Sequence, residues 1–155
     1  MYEYTQENLQ PIFDKWLARL RLTESWDVRL ELVEDPAFTK TGDFKVDPTD
    51  RKAILLLNAR NPRQENPEEV ICHELMHLKL YPLDQLTETL IDCHYKEGSP
   101  ERSAMYTQFM VMLETTVEEM TKCWLAAVGE DTELSYGRCR GMKSFNELYE
   151  GLKPL

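Results

Sequence analysis

The chain has 155 residues, a formal net charge of −10 and a pI near 4.8, with 42% hydrophobic and 30% charged residues. That length suits one domain around a single core. The anionic surface repels phosphate backbones, so nucleic acid is not expected as a partner, and the basic cluster Arg138-Cys139-Arg140 with Lys143 is too small to offset it. No run approaches the roughly 18 apolar residues that cross a bilayer, and the polar start Met1-Tyr2-Glu3-Tyr4 is unlike a signal peptide, so no membrane association and a cytoplasmic location are expected.

Leu9, Ile12, Phe13, Trp16, Leu17 and Leu20 recur at three and four residue intervals and predict an amphipathic first helix, with Pro11 marking its start. Trp26, Val28, Leu30 and Leu32 alternate with polar residues over 26–33, which predicts a strand under that helix. Asp47-Pro48-Thr49-Asp50 is a turn signal between 42–46 and 52–58, so those segments are expected to pair as a hairpin. Asn66-Pro67-Glu68-Glu69 opens a helix with Asn66 as N-cap and Glu69 placed for a capping box; Pro82 sets its expected end near Tyr81. Ser99-Pro100 opens a long helix to about Val128. The stretch 129–143 is the least organised, and 145–152 forms a short amphipathic segment. Cys72, Cys93, Cys123 and Cys139 show no CxxC spacing and are expected as free thiols.

Residues 73–77 read His-Glu-Leu-Met-His, an HExxH motif that uses two of the three histidines in the chain. On a helix, His73 and His77 share one face and can bind one Zn2+, with Glu74 directed at the water on that metal, while Ile71, Leu75 and Leu78 take the opposite side. The chemistry this predicts is zinc-assisted hydrolysis, most often of a peptide bond. A chance pair of histidines on a helix is the plain alternative, and their scarcity elsewhere argues against it.

Two histidines leave a third ligand to be found. The extended pattern HExxHxxGxxH is excluded by Leu80 and Leu83, which leaves His94 and the acids of the 100–128 helix. On a helical wheel Glu114 lies on the apolar face with Met110, Val117, Thr121 and Leu125, whereas Glu119 lies on the far side. A carboxylate on an apolar face requires a strong partner, either a zinc ion or a partly buried salt bridge. Glu118, one turn on, is placed to accept a hydrogen bond from the outer ring nitrogen of a ligand histidine.

His73-Glu74-Leu75-Met76-His77, followed on a later helix by Glu114-Thr-Thr-Val-Glu118, resembles the gluzincin zinc metallopeptidases, and the chain length points to the single-domain minigluzincins. The resemblance implies an α+β, zincin-like domain spanning 1–155. A short mixed or antiparallel sheet would pack on an N-terminal helix, beside an HExxH helix and a glutamate helix. It also implies Zn2+ held by His73, His77 and Glu114, Glu118 supporting a histidine, Glu74 as general base, and a peptide or protein substrate. Tyr81, Tyr95 or Tyr106 could supply a hydroxyl to the developing oxyanion, and the edge of the strand at 53–58 could hold an extended substrate. Minigluzincins include members whose C-terminal segment blocks the cleft; here 132–155 would be that extension, with Cys139 as a thiolate able to close the metal. Two other readings follow from the residues: His94 as third ligand, which resembles the SprT-like proteases, and a non-catalytic structural zinc site.

Overall fold

The computed structural model describes residues 3–62 and 64–150. Its first helix, α1 (Gln6–Arg19), begins five residues before Pro11 rather than at it. Pro11 deletes only one backbone bond near an exposed end, while the Thr5 hydroxyl caps the first turn by accepting from Asn8 N–H, and Leu9, Phe13, Trp16 and Leu17 bury the inner stripe.

Three strands follow: β1 (Asp27–Val33), β2 (Gly42–Asp47) and β3 (Lys52–Asn58), in the spatial order β1-β3-β2. β2 and β3 form the expected antiparallel hairpin, Gly42 opposite Leu57 and Asp47 opposite Lys52, and Asp47 Oδ1 accepts from Thr49 and Asp50 N–H at 3.0 Å to fix the turn. β1 runs parallel to β3 on its other side. The expected substrate-holding edge at 53–58 is therefore corrected: β3 is the central strand, with both edges paired, and β2 is the outer strand on the side of the helices that follow. Ala53, Leu55 and Leu57 bury one face of β3 against the core, where α1 also packs.

The second helix, α2 (Pro67–His94), does not stop at Tyr81 but continues through Pro82 for 28 residues. A proline inside a helix costs about 3 kcal/mol. The far half is held by the third helix, α3 (Pro100–Val128), which returns antiparallel along it: Arg102 pairs with Asp92, and Tyr106 Oη donates to Glu88 at 3.2 Å. Tertiary packing thus outweighs the local signal. α3 itself spans the segment expected for it, capped by Ser99 accepting from Arg102 N–H and ended at Gly129. Two single-turn helices complete the described chain, α4 (Gly137–Arg140) and α5 (Phe145–Leu148). The last residues of the expected 145–152 segment lie outside the described residues. No described helix is long and apolar enough to cross a membrane.

The N-terminus of α2 is the polar hub of the fold. Asn66 caps it as expected, accepting from Glu68 and Glu69 N–H, but the capping box is replaced: Asn66 N–H donates to Ser135 Oγ, and Glu69 accepts from Ser135 N–H. Glu68, only 3% exposed, accepts from Trp16 Nε1 at 2.9 Å and from the N–H groups of Glu130 and Asp131, and pairs with Lys15 Nζ at 2.8 Å. Burial pushes its carboxyl pKa up, but Lys15 and the two backbone donors outweigh it and hold the group below the usual carboxylate range. A depressed folded-state pKa gives stability that is present above the unfolded value, about 4.3, and is lost as pH falls through the folded one. Glu68→Gln is expected to cost about 2 kcal/mol at pH 7 in urea unfolding. The difference from wild type should shrink once the pH drops below the usual carboxylate range; a pH-independent difference would contradict this role.

Candidate metal centre

α2 buries Ile71, Leu75 and Leu78 completely, at 0%, 0% and 1% exposure, which turns His73 and His77 to the opposite face. That face is covered by α3, and the antiparallel pairing sets Glu114 beside His77 and Glu118 beside His73. His73 Nε2 lies 3.2 Å from His77 Nε2 and 3.6 Å from Glu114 Oε2, and His77 Nε2 lies 3.4 Å from Glu114 Oε1. Ligands at zinc-like bond lengths of 2.0–2.1 Å in a tetrahedron stand about 3.3 Å apart. The three donors are already at that separation. Each ring can donate an Nε2–H to one oxygen of Glu114, and with both Nε2 atoms unprotonated the same three groups are spaced to ligate one cation. Among the described residues, His73, His77 and Glu114 are the group that could hold a metal ion.

Glu118 Oε1 stands 3.6 Å from His73 Nδ1, on the outer side of that ring, beyond hydrogen-bond length but close enough for its charge to act on the imidazole. The surrounding charges act on each group. Burial depresses the pKa of His73, but its hydrogen bond to the Glu114 carboxylate and the nearby charges of Glu74 and Glu118 raise it overall. Burial and the neighbouring His73 lower His77. Glu114 is held below its ordinary value by its bond to His73, against burial. Glu74 is pushed up to about 7, chiefly by burial and then, against the pull of His73, by the carboxylates of Glu114 and Asp43.

These groups line a cleft of about 630 Å³ between α2, α3 and β2, and β2 supplies Gly42, Phe44 and Val46 to its wall. Gly42 is a site residue that the sequence reading missed. A Cβ there would lie 2.5 Å from both Cδ and Oε1 of Glu74, so the Glu74 carboxyl occupies the space that only glycine leaves. Its signal was present but faint: a glycine at the start of a strand marks close approach by another group.

The remaining candidates separate clearly. His94 is the last residue of α2, exposed, and about 25 Å along the same helix from His77 at 1.5 Å per residue. Because α2 runs through Pro82 without turning, His94 is not brought to the cluster. Tyr81 lines the cleft one turn beyond His77, with its ring edge-on to Trp26; Tyr106 is exposed and tied to Glu88, and Tyr95 caps the distant end of α2. Cys139 is exposed on α4 and is not in the donor group, and Cys72 packs into the core, where burial pushes its thiol up to about 12. Of the described residues in the 132–155 extension, only Arg138 lines the cleft. Compared with known proteins, the chain matches no family model, no curated protein and no solved structure.

Glu118→Gln is expected to keep the fold but weaken binding of a divalent ion by about 10- to 100-fold, measured by competition with a chromogenic chelator. Unchanged affinity would mean that Glu118 is only a solvated neighbour of His73.

Proposed function

We propose that this protein is a zinc-dependent metallopeptidase, zincin-like in fold and similar to the gluzincins in its ligand set. The observation that carries the reading is the convergence of His73, His77 and Glu114, with Glu74 from the same helix turned into the same open cleft. His73, His77 and Glu114 would hold the ion, leaving a fourth position for water and substrate. When bound, zinc supplies Lewis acidity to the scissile carbonyl and lowers the pKa of water toward 7.

The chain's own residues account for the rest. Glu74 accepts the proton of the attacking water and returns it to the leaving amine, a shuttle suited to a carboxyl whose affinity for protons is raised by burial. Gly42 lets that carboxyl sit against β2, and Glu118, on the outer side of His73, would favour the tautomer with Nδ1 protonated and Nε2 free once the two close to hydrogen-bond length. β2, an outer strand, lines the cleft and offers an extended peptide main-chain pairing, which selects for backbone shape more than for sequence. Tyr81 is the tyrosine that lines the cleft and so the one favoured to meet the developing oxyanion. The presence of Glu74, and a set of three rather than four ligand groups among the described residues, favour a catalytic over a purely structural site.

The test is hydrolysis of a quenched fluorescent peptide library by zinc-loaded protein. Glu74→Gln should retain zinc and lose activity by about 10²–10⁴-fold. Gly42→Ala should retain zinc and lose about 10²-fold, because it shifts the Glu74 carboxyl by roughly 1 Å. Wild-type rates in Glu74→Gln would overturn the assignment.

A further inference from the structure

The cleft wall contains two cations in opposite situations. Lys40 is committed, its Nζ 2.7 Å from Asp43 Oδ2. Arg138 also lines the cleft, yet no hydrogen bond or ion pair engages its guanidinium among the described residues. It is close enough to Glu114 for its charge to stabilise that carboxylate.

Its position is built. The strap from Glu130 to Arg140 is tied to the N-terminus of α2 on both sides of Arg138. Before it, Ser135 Oγ accepts from Glu65 N–H at 2.9 Å and from Asn66 N–H at 2.8 Å, Ser135 N–H donates to Glu69 at 2.8 Å, and Asn66 Nδ2 donates to the carbonyls of Asp131 and Glu133. After it, Arg140 pairs with Glu65. These contacts are made by the residues flanking Arg138 and leave its own exposed guanidinium at the cleft wall without a hydrogen bond or ion pair among the described residues.

We infer that Arg138 receives a carboxylate of the substrate, so that the peptidase proposed above, on which this rests, acts on peptides carrying a carboxylate near the scissile bond. A guanidinium fork matches a carboxylate with two parallel N–H···O bonds, whereas the rest of the wall, with Glu69, Glu74, Asp84 and Glu118, repels one. Lys40 being held by Asp43, Arg138 is, among the described residues, the arginine of the wall that a substrate carboxylate can meet away from the metal ligands. That carboxylate is either the C-terminus of the peptide or an Asp or Glu side chain.

The experiment uses full-length Glu74→Gln protein, which does not turn over bound peptide, in zinc-loaded and metal-free forms. Calorimetry and the Arg138 Nε–H resonance report binding of two matched pairs. One is acetyl-Ala-Phe-Ala as free acid against its amide; the other is acetyl-Ala-Phe-Glu-Ala-amide against the same peptide with Gln. We expect the acid of at least one pair to bind about tenfold or more tightly than its partner and to shift the Arg138 resonance. A second change, Arg138→Gln, should remove that ratio without weakening the neutral peptides, while Arg138→Lys should keep part of it. Preference in the first pair identifies the C-terminal carboxylate; preference in the second identifies the side chain. Equal binding within both pairs, a preference that survives Arg138→Gln, or no binding of any peptide overturns the inference. Zinc measured in the same samples separates this from the peptidase reading: an Arg138-dependent preference in protein that takes up no zinc would sink the latter alone.

Discussion

The structure depends on one polar seam. α2 and α3 pack antiparallel along their length, and where the seam passes His73, His77 and Glu114 it places three potential ligand groups 3.2–3.6 Å apart, the spacing of ligands around one ion. A cation at its centre would offset the cost of bringing these polar groups together between two helices. Leu75 and Leu78 on α2 and Val117 and Leu125 on α3 belong to the one buried core that holds both helices, and with them the donors, in place. Core packing and site chemistry are thus one constraint, since a helix that slipped by a residue would lose both.

A second polar hub, at the N-terminus of α2, connects that seam to the end of the chain. Glu68 gathers Trp16, Lys15 and the backbone after α3, and Asn66, Glu69 and Ser135 tie down the strap that follows. The HExxH motif begins less than two turns further along. The same helix start that fixes the position of His73 also holds the strap that carries Arg138, through buried or half-buried groups at Asn66, Glu69 and Ser135 before it and through the exposed Arg140–Glu65 pair, whose contribution is small, after it.

Much of this was legible in the residues. His73, Glu74 and His77 are readable because i, i+4 spacing on an amphipathic helix maps directly onto one face, and Glu114 because a carboxylate on an apolar stripe demands a partner. The hairpin was legible from Asp47-Pro48-Thr49-Asp50, whose chemistry is local. What was not legible is what depends on distant neighbours. Pro82 signals a stop locally, but α3 holds the helix together beyond it. That single difference carries His94 away from the site. The order β1-β3-β2 puts the later strand in the centre, which no alternation pattern encodes, and it moved the free edge from β3 to β2. Gly42 matters only because Glu74 leans on it, and Arg138 only because Ser135 and Arg140 anchor the strap. Neither contact leaves a pattern in the sequence.

The most direct test of the central claim is elemental analysis of protein purified without added metal, for wild type, Glu114→Ala and His94→Ala side by side. About one zinc per chain is expected in wild type and in His94→Ala, and little or none in Glu114→Ala. Zinc retained in Glu114→Ala but lost in His94→Ala, or absent from wild type, would contradict that claim.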